Sequence, residues 1–393
     1  MKIAYVARGQ LNDRRLWSGL ISYYYESIKD DYEIIPIVIE EGLPRMIIRG
    51  LMHIISTITG GKISAMSPLD RRDLKKGLAK AKAEGCDILF APTGSDFLCD
   101  GKVAPGFKVI YLTDCTYHLM DGYYWNENPF RKRAKNRMEQ TAFDRADMII
   151  TASDWAKADM VDFHKQSPDK VLVATFGANL SDEYHGAIDG GVNSFGIPVK
   201  RGKILGERKH IKLLCCGVDW VRKGIDLAVA TTEELNKRAV DGFSYELTVI
   251  GFNKPEDLKT DCVTFTGRLN KNDPVQAQQM IDLYQESDLF ILPTLAECAG
   301  IVFSEAAMYG MPSVTHDTGG IPNYVEDGVT GRRLPLGSTA EDFAKAIEGI
   351  ICEGHYEEFS QNARKKYEEE INWRHWKCVF DQAVKTISQE SYT

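Results

Sequence analysis

Short apolar runs alternate with longer mixed segments along the whole chain. Continuous apolar runs are typical of parallel strands that are buried on both faces, and each intervening segment has room for a helix. The pattern therefore predicts an α/β protein built from doubly wound parallel sheets. The predicted strands of the first half are residues 3–7, 34–39, 88–91, 108–112, 148–151 and 171–174. Those of the second half are residues 211–216, 246–250, 263–266, 289–293, 312–315 and 331–334.

The chain length favours two domains, because 393 residues exceed what one hydrophobic core usually supports. We expect an N-terminal Rossmann-like domain over residues 1–180 and a C-terminal one over residues 206–372, facing each other across a cleft. Residues 181–205 lack helical periodicity and are predicted to be a linker. Residues 367–387 form a long helical pattern that is interrupted near Asn372 and has Trp373, Trp376 and Phe380 on one face. The last helix, over residues 373–393, is expected to cross back to the first domain.

Composition and charge exclude several classes of protein. Apolar residues make up 44% and charged residues 26%, as in ordinary globular proteins, and the net charge of -8 disfavours nucleic-acid binding. The nine cysteines include no Cys-x2-Cys pair, so we expect reduced thiols and no structural zinc. The chain shows no signal peptide and no apolar run of transmembrane length, which favours a cytoplasmic protein.

The charge is divided unevenly between the predicted domains. Residues 1–180 contain 25 basic and 23 acidic residues, whereas the rest contain 23 basic and 33 acidic residues. The first domain thus carries a net charge of +2 and the remainder -10. The overall charge therefore does not exclude an anionic acceptor or membrane surface on the first domain.

The most informative segment runs from the predicted strand at residue 289 through a loop into a helix near Ile301. Glu297 lies in the loop and Glu305 inside the helix. A helix start suits phosphate or sugar oxygens, and a carboxylate beside it can accept hydrogen bonds from ligand hydroxyls. The alternative is that Glu297 caps the helix while Glu305 is a solvated side chain. Spacing alone favours this alternative.

The same segment resembles a known enzyme family. Glu297 and Glu305 form a Glu-x7-Glu pattern, and TFTGRL, LYQESDLF, EAAMYGMP and THDTGGIPNYVEDGVTG surround it. Together these motifs resemble the retaining GT-B glycosyltransferases of family 4, also called glycosyl transferases group 1. The resemblance implies the GT-B fold, a nucleoside-diphosphate-sugar donor as co-substrate, and no metal or other cofactor.

The resemblance assigns most of the donor site to the second domain. Glu297 is expected to contact the donor-sugar hydroxyls and Glu305 the ribose. Lys223 matches the lysine with which the family binds the diphosphate. Many family members also have an arginine at the position of Val218, and Arg222 is expected to take over its role. The alternative is a solvated basic pair in a loop. The remaining expected donor contacts are Cys298, Ala299, Gly300, Ile301 and Val302 at the helix start, with Arg268 and Leu269 beside the base.

In the first domain, the resemblance and the loop chemistry point to five residues. Ser18 and Gly19 replace a family glycine pair near the phosphates, although Ser18 is also a candidate helix N-cap. His118 is a candidate contact of the donor sugar, and Asp114 and Asp121 are candidate acceptor-side residues. Lone histidines are more often structural. The family chemistry, in which the leaving phosphate takes the acceptor proton, requires no protein general base.

Two basic features of the first domain bear on the acceptor. In residues 43–58, Arg45, Arg49 and His53 share one face of an apolar helical pattern. This is typical of an interfacial helix on anionic lipid, but a core helix with one solvated stripe is favoured. Residues 131–137 include five basic residues, which suit a solvated face or a phosphorylated acceptor.

The combined prediction is a cytoplasmic, retaining, metal-independent hexosyltransferase, with possible peripheral membrane contact through residues 43–58 and 131–137. It transfers a sugar to a glycan or lipid-linked acceptor in surface polysaccharide or glycoconjugate biosynthesis. The alternatives are a GT-B sugar-nucleotide epimerase and a catalytically dead sugar-nucleotide-binding protein. No nucleic-acid partner is expected.

Overall fold

The computed structural model describes residues 1–14, 16–99, 105–180, 188–192, 198–200 and 202–389. The chain divides into two compact units. Unit 1 comprises Met1–Ala174 together with the chain from Trp376 onward, and unit 2 comprises Thr175–His375. Each unit is built around its own parallel sheet.

The sheet of unit 1 has six parallel strands in the order β2-β1-β3-β4-β5-β6. These are β1 (Lys2–Arg8), β2 (Glu33–Ile39), β3 (Ile88–Pro92), β4 (Lys108–Thr113), β5 (Met148–Thr151) and β6 (Val171–Val173). The helices are α1 (Leu20–Ile28), α2 (Leu43–Ile58), α3 (Pro68–Ala83), α4 (Ser95–Leu98), α5 (Tyr117–Met120), α6 (Pro129–Arg145) and α7 (Asp154–Asp162).

Unit 2 begins with a short antiparallel pair, β7 (Ile188–Val192) and β8 (Pro198–Lys200). Both strands fall within the predicted linker, residues 181–205, whose other residues up to 201 lie outside the described part of the chain.

The second sheet of unit 2 has six parallel strands in the order β11-β10-β9-β12-β13-β14. These are β9 (His210–Cys216), β10 (Ser244–Ile250), β11 (Val263–Phe265), β12 (Leu289–Leu292), β13 (Ser313–His316) and β14 (Gly331–Leu334). The helices are α8 (Ile225–Arg238), α9 (Pro274–Glu286), α10 (Ile301–Met308), α11 (Ala340–Ile351), α12 (Tyr356–Glu369) and α13 (Trp373–Gln389), the last of which continues into unit 1.

All the strands predicted from the apolar runs are present, with ends that differ by at most two residues. The α/β prediction is therefore confirmed. In each parallel sheet the strand order reverses once, between β1 and β3 in unit 1 and between β9 and β12 in unit 2. Ligands of such sheets bind outside the carboxyl ends of the strands at this switch point. The loops after β1, β9 and β12 are accordingly the places to look for a site.

The C-terminal helix packs on the sheet and first helix of unit 1, as the sequence predicts. The interruption expected near Asn372 separates α12 from α13, and Asn372 Oδ1 caps α13 by accepting from the amides of Arg374 and His375, both at 2.9 Å. Trp376 is fully buried and stacks on Tyr24 with ring centroids 4.7 Å apart. The helix thus completes the core of unit 1.

None of the helices in the described part of the chain is both long enough and apolar enough to cross a bilayer.

Candidate active site

The two loops at the switch point of unit 2 are held against each other by hydrogen bonds. The Leu295 amide donates to the Arg222 carbonyl over 2.7 Å, and Thr294 Oγ1 donates to the same oxygen over 3.0 Å. At Gly224 the backbone has φ of 64°, and a Cβ would lie 2.2 Å from the Pro293 oxygen. Glycine at this position therefore allows the loops after β9 and β12 to meet.

A buried ion pair joins these loops. Lys223 Nζ donates to Glu297 Oε2, and each residue is only 8% exposed. Arg222 Nη1 lies 4.0 Å from the same carboxylate oxygen and donates to the Ala296 carbonyl over 3.0 Å. Asp219 pairs with Arg222 at 3.3 Å on the more exposed side. The structure thus brings together Arg222, Lys223 and Glu297, and the interpretation of a solvated basic pair is wrong.

The helix that follows Glu297 starts without a side-chain cap. Its N-cap is Gly300, and its first residue is Ile301, as the sequence predicts. Because Glu297 pairs with Lys223 and is not the N-cap, the capping interpretation is wrong. The amides of Ile301 and Val302 have no partner within the helix, as at any helix N-terminus, and they carry partial positive charge. This start suits an anionic group.

The other predicted residues of this loop pack closely. Cys298 is buried and Ala299 packs on the core of unit 2. A Cβ at Gly300 would lie 2.3 Å from Phe303 Cδ2. The loop therefore has little room to change its course.

Glu305 is a buried carboxylate with a partner on each of its two oxygens. It is 1% exposed, Lys271 Nζ lies 2.5 Å from Oε1, and Tyr284 donates its hydroxyl to Oε2 over 2.9 Å. The alternative of a solvated side chain is wrong. Nothing in the sequence indicated Lys271, and Tyr284 lies in the motif LYQESDLF without being assigned a role there; the two residues are 34 and 21 positions away from Glu305.

The Cys216 thiol lies at the carboxyl end of β9. Burial and the charge of Glu305 raise the pKa of this thiol to about 11, while the ammonium groups of Lys271 and Lys223 act in the opposite direction. The next residue, Gly217, lies against Lys223, since a Cβ at Gly217 would be 2.8 Å from Lys223 Cγ.

The predicted base-binding residues follow β11. Gly267 has φ of 73° and donates its amide to the Phe252 carbonyl over 2.8 Å. Arg268 is exposed, and Leu269 packs partly on the core of unit 2. Among the described residues, no three His, Cys, Asp or Glu side chains form a group that could hold a metal ion.

In unit 1, the loop after β1 contains consecutive left-handed residues. Trp17, Ser18 and Gly19 have φ of 45°, 56° and 90°. Such backbone is costly for residues other than glycine and is concentrated at functional sites. Gly19 is the N-cap of α1, without a side-chain hydrogen bond, so the Ser18 N-cap interpretation is wrong.

His118, in the short helix after β4, is held in a fixed orientation. Its Nδ1 lies 2.6 Å from Asp159 Oδ1, and its ring stacks on Phe163 with centroids 3.6 Å apart. Asp159 is buried and also accepts from Thr116 Oγ1. A carboxylate only accepts, so Nδ1 carries a proton, and in the neutral imidazole Nε2 is left as an acceptor. Sequence analysis missed Asp159, which is distant in sequence and has no motif of its own.

The two acceptor-side candidates, Asp114 and Asp121, differ in their surroundings. Asp114 is half-buried just after β4. Asp121 pairs with Lys132 at 2.6 Å and accepts from the Glu127 amide at 2.9 Å, and these contacts lower the pKa of its carboxyl group. Asp121 therefore also stabilises the loop before α6.

Asp159→Asn is expected to reduce donor turnover about 10–100-fold if His118 Nε2 accepts a ligand hydroxyl. The amide of asparagine can donate to Nδ1, which moves the ring proton to Nε2 and removes that acceptor. Imidazole nitrogen chemical shifts would report the tautomer, and kcat and KM would report turnover. Asp162→Asn, an exposed position on the same helix, is the matched control. Unchanged turnover with a changed tautomer would contradict the role of His118.

Comparison with known proteins agrees with this description. Residues 210–353 match the family model for glycosyl transferases group 1. A D-inositol 3-phosphate glycosyltransferase of Corynebacterium aurimucosum is 28% identical over 228 residues, which are 56% of this chain and 52% of that protein. The chain therefore spans about half the length of the curated relatives it matches.

Solved structures match nearly the whole chain. WaaG, a glycosyltransferase involved in lipopolysaccharide biosynthesis, aligns with a TM-score of 0.58 and 16% identity over 97% of this chain and 99% of its own. HepE of Anabaena, solved with UDP and glucose, aligns with a TM-score of 0.61 and 14% identity over 98% and 100%. These likenesses confirm the predicted GT-B fold and the resemblance to the glycosyltransferases of this fold.

Proposed function

We propose that this chain, whose residues 210–353 match glycosyl transferases group 1, is a retaining, metal-independent glycosyltransferase. It moves a hexosyl group from a nucleoside-diphosphate sugar to a glycan or lipid-linked acceptor, in the cytoplasm, for surface polysaccharide or glycoconjugate biosynthesis. It uses no cofactor besides this donor. The observation that carries the proposal is the buried pair of Lys223 and Glu297 beside an uncapped helix start at the switch point of unit 2.

The pair explains how the donor would be held. The diphosphate would take Lys223 and Arg222 as counter-ions and the amides of Ile301 and Val302 as donors. The carboxylate of Glu297 would accept from the sugar hydroxyls, and that of Glu305 from the ribose hydroxyls. In unit 1, the proposed donor contacts are His118 and the backbone of Ser18 and Gly19.

The proposed reaction consists of one exchange at the anomeric carbon. The bond from this carbon to the diphosphate oxygen breaks, and a bond to the acceptor oxygen forms on the same face. The acceptor proton passes to the leaving phosphate, so no protein base is consumed. The developing negative charge is stabilised by fixed cations and amides that need no reorganisation. The protein contributes mainly orientation and charge, with Asp114 and Asp121 on the acceptor side.

The proposal predicts nucleotide release from one donor sugar. The protein would be incubated with UDP-, GDP- and ADP-sugars in the presence of EDTA, and free nucleoside diphosphate would be measured. Slow hydrolysis of one donor, lost in Glu297→Gln, is the expected result. Sugar inversion without nucleotide release would instead indicate an epimerase, and binding without turnover a sugar-nucleotide-binding protein. Strict dependence on an added divalent cation would contradict metal independence.

A further inference from the structure

Helix α2 presents its apolar face to solvent. Of its residues only Ser56 is buried. Six large apolar side chains are between 55% and 74% exposed: Leu43, Met46, Ile47, Leu51, Ile54 and Ile58. Apart from the adjacent pair Met46 and Ile47, successive side chains are three or four residues apart, which places the set on one face. A contiguous apolar stripe of this length on a surface helix marks an interaction site, because isolated exposed side chains would not line up in this way.

The opposite face of α2 is fixed to unit 1 by ion pairs. Arg49 Nε lies 2.7 Å from Asp70 Oδ2, and Arg45 Nη1 lies 2.6 Å from Asp73 Oδ2. Asp70 is fully buried, and the guanidinium of Arg49 lowers the pKa of its carboxyl group against the opposing effect of burial. The orientation of α2 is therefore set by its arginines. The expectation of a core helix with a solvated basic stripe is wrong, since the apolar face is exposed and two of the three basic residues, Arg45 and Arg49, pair inward, whereas His53 is exposed.

The exposed end of α2 is basic. Residues 43–63 and 129–138 contain no Asp or Glu. The glycines that end α2 lie against α6, where a Cβ on Gly60 or Gly61 would approach the Cδ atoms of Arg133 and Arg137 to 3.4 and 3.1 Å. Arg133, Arg137 and Lys62 are all exposed. Lys62 and Arg137 also line a cavity of about 460 Å³ together with Arg71 and Ser64.

The remainder of the basic run on α6 is largely neutralised. Lys132 pairs with Asp121, and Arg131 and Lys135 pair with Glu127. Of the five basic residues at 131–137, the two beside α2 are those for which no ion pair occurs among the described residues. Arg133 and Arg137 thus lie against the glycines that end α2, where their charge remains available to an anionic partner.

We propose that α2 and the adjoining Lys62, Arg133 and Arg137 form a docking surface for a bilayer that contains anionic lipid. An apolar helical face bordered by cations lies in the plane of such an interface, with its apolar side chains among the acyl chains and its cations at the headgroups. The absence of carboxylates from residues 43–63 favours an anionic surface over a protein partner. This surface is independent of the donor site, so it stands or falls separately from the proposed function.

Vesicle flotation tests the surface directly. The full chain would be mixed with vesicles of phosphatidylcholine alone or with about a third of phosphatidylglycerol. Wild type is expected to float with the anionic vesicles, and added salt should weaken this binding. Ile47→Glu/Ile54→Glu should bind at least about tenfold more weakly. Val275→Glu, which changes an even more exposed apolar residue of α9, should bind as wild type does.

A second variant tests the basic residues of the docking surface. Lys62→Glu/Arg137→Glu should lose the preference for anionic over neutral vesicles, while thermal unfolding and donor hydrolysis remain as in wild type. Failure of the wild type to float at low salt would overturn the proposal. So would a lipid-free dimer that Ile47→Glu/Ile54→Glu dissociates, because α2 would then bind a second copy of the chain.

Discussion

Lys223→Met is expected to lower kcat for donor turnover by about 10²–10³-fold. The ammonium of Lys223 is the buried cation nearest to Glu297, and its stem packs on Gly217, where a Cβ would lie 2.8 Å from Lys223 Cγ. Methionine keeps this stem but removes the charge that would stabilise the leaving diphosphate. A loss in kcat larger than the rise in KM is expected, because the charge matters most as the bond breaks. Steady-state kinetics with the accepted donor would measure both.

Lys223→Met is also expected to lower the free energy of unfolding, and this effect must be distinguished from the loss of turnover. Removing one partner of a buried ion pair leaves an uncompensated charge and typically destabilises by about 3–5 kcal/mol. Lys223→Met/Glu297→Gln removes both charges and should recover much of this stability without recovering activity. If turnover instead returned together with the melting temperature, Lys223 would be only a structural residue. Lys237→Ala, at an exposed lysine of α8, should change neither property.

The framework of the fold could be predicted from sequence because its strands are buried on both faces. Strands such as β3 and β12 are continuous apolar runs that are buried on both faces, which no amphipathic helix or edge strand would tolerate. The carboxyl ends of β9 and β12 then place the loops around Gly217 and Glu297 at the switch point. This much of the candidate site depends only on strand order.

The direction in which α2 faces could not be predicted. Periodicity separates the apolar face of residues 43–58 from the face of Arg45 and Arg49, but the same pattern is compatible with burial of either face. Burial of the apolar face is the usual outcome. In this protein Asp70 and Asp73 on α3 draw the arginines inward, and partners of this kind are visible only in three dimensions.

The residues that orient the candidate site side chains could not be predicted either, because their contacts are also visible only in three dimensions. Asp159 orients His118, and Lys271 and Tyr284 bind Glu305. Each of these contacts joins elements that lie far apart along the chain. A motif identifies residues that face a ligand. The residues that orient those side chains need only a suitable hydrogen-bonding group at a suitable position in the fold, so they have no fixed spacing in the sequence. Such orienting residues are identified only from the structure.

Trp376→Ala is expected to destabilise unit 1 by about 3–5 kcal/mol. Trp376 is fully buried, stacks on Tyr24, and lies 5.4 Å from Phe380 between ring centroids. Its removal leaves a large cavity between α13 and the sheet, at the position where the C-terminal helix is joined to unit 1. Denaturant unfolding of the full chain, followed by amide exchange in β1 and β3, would measure the loss.

The position of the effect distinguishes docking of α13 from a general weakening of the chain. Cys378→Ala changes an exposed residue of the same helix and should alter the free energy of unfolding by less than about 0.5 kcal/mol. Exchange in β9 and β12 of unit 2 should be less affected than exchange in β1 and β3, because Trp376 packs within unit 1. A loss below about 1 kcal/mol would contradict the packing of α13 on unit 1, since a fully buried tryptophan cannot be truncated at so small a cost.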